Sequence, residues 1–192
     1  MVEINPDITK ARTLSSNYYT DSEIFDNILS KFGNYWQYVG HTSQFEDGMV
    51  KPLIIGNEQV IVSKSEDNFY CFSNVCTHRG MILLGEEDCK KALICPYHGR
   101  TFSIDGKFKK MPEFEKAENF PTVKDDLSQF NINIWGNMLF TLINPEEETN
   151  SWFDHIQQRM SFLDIDNFSY DSSRERKYTI KANWILYVDN YL

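Results

Sequence analysis

Between residues 34 and 145, apolar and polar residues alternate over short runs, and turn residues separate the runs. Residues 35–41 (YWQYVGH) form the first run. Residues 53–55 and 59–63 flank Gly56-Asn57, a hairpin signal. Residues 69–75, 91–95 and 100–104 follow, the last closed by Asp105-Gly106, and residues 130–143 predict a strand pair turning at Gly136-Asn137. Short strands with no helices between them predict an antiparallel sandwich or barrel.

Helical spacing appears on both sides of this region. Ile24, Phe25, Ile28, Leu29 and Phe32 share one face, Thr20 and Glu23 fit a capping box, and Gly33 fits a left-handed helix end. Downstream, Trp152, Ile156, Met160 and Leu163 predict a second helix, with Glu146–Glu148 supplying charge near its start. Residues 176–180 read as a strand, and Trp184, Tyr187, Val188 and Tyr191 return to helical spacing over residues 183–192. The expected organisation is an N-terminal arm and helix (1–33), a β domain (34–145), and the start of a further domain (146–192) too short to close a core alone.

Composition narrows the class of partner. Of 192 residues, 41% are hydrophobic and 15% aromatic, enough for a sizeable core and against wholesale disorder. Lys and Arg number 19 against 28 acidic residues, a net charge of −9, which argues against nucleic acid or an anionic membrane surface as a partner. No apolar run approaches the ~18 residues of a spanning helix. The first residues (MVEINPDITKAR) lack the basic start and apolar stretch of a signal peptide. Four Cys are too few for a disulfide scaffold, and a cytoplasmic setting is expected.

The candidate chemistry lies in Cys76-Thr77-His78-Arg79-Gly80 and Cys95-Pro96-Tyr97-His98-Gly99: C-x-H, sixteen residues, then C-x-x-H. Each segment follows a strand run and offers one thiolate and one imidazole. Two thiolates and two imidazoles are the ligand set of a Rieske [2Fe–2S] centre, with Cys76 and Cys95 on one iron and His78 and His98 on the other. Neutral imidazoles lower the cluster's negative charge, raising its potential from the ~−400 mV of all-Cys plant-type clusters into roughly −150 to +300 mV. A structural Cys₂His₂ zinc site is the rival, although zinc fingers pair Cys with Cys and His with His.

The two boxes, CTHRG and CPYHGRTF, resemble the Rieske signature of the ring-hydroxylating non-haem iron oxygenases. Residues 36–44 (WQYVGHTSQ) are similar to the segment opening the family's Rieske domain. Ile104-Asp105-Gly106 and residues 135–145 (WGNMLFTLINP) are similar to its later hairpin and closing strand. Residues 181–192 (KANWILYVDNYL) resemble the start of the family's catalytic domain, and residues 110–121 (KMPEFEKAENFP) resemble its quaternary-ammonium monooxygenases. The resemblance implies a mainly β fold: a Rieske-type antiparallel sandwich, an N-terminal helix and the truncated α+β start of a catalytic domain. It implies an oxygenase α subunit that takes electrons from a ferredoxin or flavin reductase and passes them to a mononuclear iron. That iron would drive O₂-dependent hydroxylation or demethylation of a small organic substrate, in a homotrimer when full length.

In the family a carboxylate and a pair of His follow the acid-Asn pair, here Asp189-Asn190, and build the mononuclear iron site. The sequence ends at Leu192, so it is expected to be the N-terminal portion, with no catalytic residue of its own and the mononuclear Fe(II) in the missing part. His41 is expected to serve strand packing or a hydrogen bond, His155 a solvated helix face. Respiratory Rieske proteins differ: they place disulfide cysteines at the positions of Met81 and Tyr97, and Ser and Tyr donors at Arg100 and Phe102. Cys71 reads as an inert core residue, Cys89 as exposed, and Trp36 and Trp135 as core. Arg79, Arg100, Lys107, Lys109 and Lys110 form a local basic group suited to an acidic donor protein or to an ordinary solvated hairpin. A stand-alone Rieske ferredoxin and a zinc-stabilised interaction domain remain the alternatives.

Overall fold

The computed structural model describes residues 5–145 and 147–191, for 147–152 the backbone alone. The chain divides into two compact units, one formed by residues 1–31 with 172–192, the other by 32–171.

The larger unit is the β structure. Its strands are β1 (Gln37–His41), β2 (Met49–Ile55), β3 (Glu58–Ser65), β4 (Asn68–Ser73), β5 (Asp88–Cys89), β6 (Leu93–Ile94), β7 (Thr101–Phe102), β8 (Phe108–Lys110), β9 (Gln129–Trp135) and β10 (Met138–Leu142). Seven form one sheet in the order β1-β10-β9-β4-β3-β2-β5, and β6-β7-β8 form a second. Every pairing is antiparallel. The Gly56-Asn57 and Gly136-Asn137 turns join β2 to β3 and β9 to β10 as expected.

Strand β3 shows how the sequence builds the core. Val60, Ile61, Val62 and Ser63 are all buried, so both faces of this strand are covered. The period of two sends Val60 and Val62 to a cluster with Val39, Ile55, Cys71 and Leu139. Ile61 points to the other cluster, with Val50, Phe72, Leu93, Phe102 and Leu127, where the two sheets meet. Cys76 and Cys95 belong to this second cluster. The sandwich core is therefore the floor of the Cys/His loops.

Asn74, between β4 and the first loop, is 1% exposed and acts as a piece of backbone. Its Nδ2 donates to the Leu84 carbonyl at 2.8 Å and its Oδ1 accepts the Leu84 N–H at 2.9 Å. Its own carbonyl accepts the Leu83 N–H. The side chain thus closes the segment that returns from the first loop.

Helix α3 (Glu147–Arg159) follows β10. Its buried Phe153 packs on Trp36, Phe140 and Trp135 at ring-centroid distances of 5.2, 5.1 and 6.2 Å. Both tryptophans are half-buried members of this aromatic group. Met160 and Leu163 lie just past the helix end, and Glu146 and the side chains of Glu147, Glu148 and Trp152 lie outside the described residues. The smaller unit contains α1 (Asn17–Thr20), α2 (Ser22–Leu29) and α4 (Ile185–Tyr191). There the Tyr19 hydroxyl donates to Asp189 at 3.1 Å, and Asn183 caps α4 by accepting the Ile185 N–H. Among the described residues no helix is long and apolar enough to cross a membrane.

Several local expectations are corrected. The cap of α2 is Asp21, whose carboxylate accepts the Glu23 and Ile24 N–H groups; Thr20 closes α1 by bonding back to Ser16. Gly33 is no helix end: α2 stops at Leu29, and Gly33 is buried where a Cβ would meet Asn144 and Ile143 at 3.0 and 3.2 Å. Residues 176–180 are exposed and form no strand, since alternation makes a strand only where a ladder partner exists. The runs at 91–95 and 100–104 contract to two-residue strands as the chain bends into the second loop, and β5 and β8 are additional.

Asn74→Ala removes both side-chain bonds and leaves the buried Leu84 amide and carbonyl unpaired. The expected loss is about 2 kcal/mol or more, read as a lower denaturant midpoint with an unchanged slope.

Candidate metal centre

Each loop is closed by the same ring of backbone hydrogen bonds. The Cys76 N–H donates to the Met81 carbonyl at 2.8 Å, and the Cys76 carbonyl accepts the Gly80 N–H at 3.0 Å. Correspondingly, the Cys95 N–H donates to Arg100 at 2.7 Å and its carbonyl accepts Gly99 at 3.0 Å. Gly80 and Gly99 have φ of +70° and +71°, a conformation an L side chain resists. The Cys-to-Gly spacing of four, identical in both boxes, is the sequence signal for this shared geometry.

The loops bring all four candidate donors together. Cys76 and Cys95 are buried and free, and close enough for Cys95 to raise the Cys76 thiol. His78 and His98 are half-buried with ring centroids 4.9 Å apart, edge to face. Tyr97 lies against His98 at 3.7 Å, and Phe114 stands 6.1 Å from His78. His98 Nδ1 is buried without a partner among the described residues. Among those residues no three His, Cys, Asp or Glu side chains are arranged around a single ion. The donors instead form a thiol pair and an imidazole pair.

Electrostatics favour the neutral forms of Cys76 and His78. Burial pushes the Cys76 thiol up, and the neighbouring Cys95 adds to this while Arg100 opposes it. Burial, followed by the charges of His98, Arg79 and Arg100, holds His78 below the usual imidazole range and therefore neutral at pH 7. Neutral imidazole is the metal-binding form. A buried thiol such as Cys76 ionises when a metal supplies the compensating charge. These are the properties a [2Fe–2S] cluster with two Cys and two His ligands requires, and the unpaired His98 Nδ1 offers an imidazole nitrogen for it.

A clamp joins the loops from outside. Arg100 is 3% exposed, and its Nη2 donates to the Asp125 carboxylate at 2.6 Å and the Asp125 main-chain oxygen at 3.2 Å. That same oxygen accepts the Thr77 hydroxyl of the first loop at 2.9 Å. The expected basic group therefore shrinks: Arg100 is buried, and Lys107 pairs with Asp126 at 3.0 Å. Arg79, Lys109 and Lys110 remain exposed.

The remaining His and Cys residues stand apart. His41 is buried in β1, its Nδ1 against the Ser43 hydroxyl and its Nε2 against the Phe168 carbonyl, a packing role as expected. His155 is exposed on α3. Cys71 is buried on β4 and pushed up to about 12 by burial, an inert thiol, and Cys89 is exposed.

Comparison with known proteins favours the Rieske reading. Residues 35–121, which include both loops, match the Rieske [2Fe-2S] domain. The chain carries a Rieske [2Fe-2S] domain. It is 29% identical to the chloroplastic choline monooxygenase of Arabidopsis thaliana over 209 residues, covering 100% of this chain and 49% of that protein. It is 30% identical to the carnitine monooxygenase oxygenase subunit of Escherichia coli (strain K12) over 190 residues, covering 95% and 50%. In structure it resembles the quaternary ammonium Rieske monooxygenase CntA in complex with an inhibitor, with a TM-score of 0.81 at 24% identity, covering 100% of this chain and 56% of that one. Naphthalene 1,2-dioxygenase with bound indole shares the fold over 65% of this chain and 29% of its own, with a TM-score of 0.58 at 25% identity. The chain spans about half the length of the curated relatives it matches. The mainly β Rieske fold with an N-terminal helix agrees with the reading of the sequence.

Asp125 makes the clamp pH-sensitive. Burial raises its pKa, but the Thr122 N–H and the Arg100 guanidinium, with the Thr122 hydroxyl, outweigh this and hold the carboxyl below its usual range. A depressed folded pKa contributes stability above the unfolded value of about 3.9 and loses it as pH falls through the folded value. Asp125→Asn should therefore be less stable than the parent at neutral pH. The difference should shrink below about pH 4, as followed by denaturant unfolding across a pH series.

Proposed function

We propose that Cys76 and Cys95 hold one iron and His78 and His98 the other iron of a Rieske [2Fe–2S] cluster. On this reading the chain is the electron-receiving portion of a Rieske monooxygenase oxygenase subunit. The observation that carries the assignment is the buried His98 Nδ1, without a partner among the described residues, beside His78 and the free, buried Cys76 and Cys95. When bound, the cluster supplies one-electron redox chemistry at a potential set by its ligands and surroundings.

The chain's own residues do the rest. The two loop rings fix the donors, Leu83, Leu84 and Leu93 shield the thiol side from water, and the half-buried imidazole side faces outward. The full-length protein is read as taking electrons from a ferredoxin or flavin reductase and delivering them to a mononuclear iron beyond these residues. Hydroxylation or demethylation of a small organic substrate would follow in a homotrimer. Relatives named for choline and carnitine favour a quaternary ammonium compound as that substrate. A stand-alone ferredoxin is less favoured, because the similarity to the oxygenase subunits runs through nearly the whole chain.

Two iron and two acid-labile sulfide per chain are expected from metal and sulfide analysis; one zinc would contradict the assignment. The potential should fall near the low end of the Rieske range, about −150 mV, because Arg100 and Phe102 supply no hydroxyl donor and Met81 and Tyr97 no disulfide. Protein-film voltammetry above roughly +100 mV would refute this. His78→Cys should lower the potential further, since a thiolate adds negative charge.

A further inference from the structure

Arg100 has more donors than its protein surroundings use. Its Nη2 is committed to Asp125, but its Nε is buried and has no acceptor among the described residues. Phe102, Phe108 and Phe120 lie 5.7, 4.9 and 5.7 Å from the guanidinium carbon. Their faces attract the cation but offer its N–H no lone pair. An unpaired, buried, charged donor carries its full desolvation cost, so native structures rarely keep one without a partner. No change of protonation relieves it, because arginine stays charged.

Its position narrows what the partner is. Arg100 follows His98 by two residues, and its own carbonyl closes the Cys95 loop. Asp125 holds it from behind and takes the Thr77 hydroxyl of the other loop on the same carbonyl oxygen. The Asp125 carboxylate also accepts the Thr122 N–H and hydroxyl, at 2.7 and 3.1 Å, which spreads its charge over other donors. A fixed cation with a spare donor is thus tied through Asp125 to both ligand loops.

Resting on the cluster assignment above, we propose that Arg100 is a redox-tuning residue, its Nε–H donating to a cluster sulfur and its charge favouring the reduced form, with Asp125 as its positioning residue. Reduction adds one negative charge without moving a ligand, so a nearby buried cation and donor stabilise the product over the reactant. The low potential expected from missing hydroxyl donors would be lower still without this arginine.

The test uses the cluster-loaded protein and its midpoint potential. Arg100→Met keeps the side chain's length and apolar stem but removes charge and donor. It should bind iron and sulfide as the parent does and shift the redox equilibrium at least tenfold toward the oxidised form, about 59 mV lower. A potential within twofold of the parent's equilibrium overturns the proposal. If Arg100→Met fails to load its cluster, the reduced parent carrying guanidino-¹⁵N arginine is examined by pulsed EPR. A ¹⁵N coupling that survives in Arg79→Lys supports the proposal; no coupling, or one lost in Arg79→Lys, overturns it. A parent without iron and sulfide overturns the cluster assignment and this inference together. A loaded parent whose potential ignores Arg100 overturns this inference alone.

Discussion

Four donor side chains from two loops must reach one small volume, and the chain between them has to be fixed before any metal arrives. The protein meets this constraint with backbone rather than side-chain contacts. In each loop the cysteine amide and carbonyl are both tied within the loop, through a glycine in the left-handed region four residues on. The thiols are then rooted in the sandwich core among Ile61, Phe72, Leu93 and Phe102. The imidazoles sit on the outer, half-exposed side. On the cluster reading, the thiol end of the site is the dry, anionic one and the imidazole end the neutral, accessible one.

The Arg100–Asp125 pair carries this arrangement outward. A buried ion pair is weak evidence for stability by itself, since desolvation offsets much of the attraction. Here Asp125 bonds to Thr77 of one loop and Arg100 of the other through a single carbonyl oxygen. Loss of the Arg100 contact would leave buried charge, and loss of the Thr77 contact would leave the shared oxygen to Arg100 alone. The pair therefore couples the two loops energetically, beyond whatever it adds to the fold.

Metal chemistry dictates residue type and spacing within a few residues, so the candidate site stands out in the sequence. Cys76, His78, Cys95 and His98 are candidates from the two boxes alone, and the fold brings them together; the β hairpins follow from alternation around Gly56-Asn57 and Gly136-Asn137. Asp125 was not legible as a partner of Arg100, since a pairing across 25 residues leaves no local pattern. Arg100 consequently read as surface charge when it is core. Asn74 was silent for the same reason: its side chain imitates a strand for Leu84, which no periodicity encodes. The strand at residues 176–180 failed in the opposite way, as a local pattern without a partner to pair with.

The central claim is that His78 and His98 bind the same iron while the cysteines bind the other. Pulsed EPR of the reduced protein labelled with ¹⁵N-histidine tests it most directly, because only nitrogens bonded to the paramagnetic cluster give strong couplings. Two strong histidine couplings, each lost separately in His78→Cys and His98→Cys, are predicted. A single coupling, none, or couplings that persist in both variants would contradict the account.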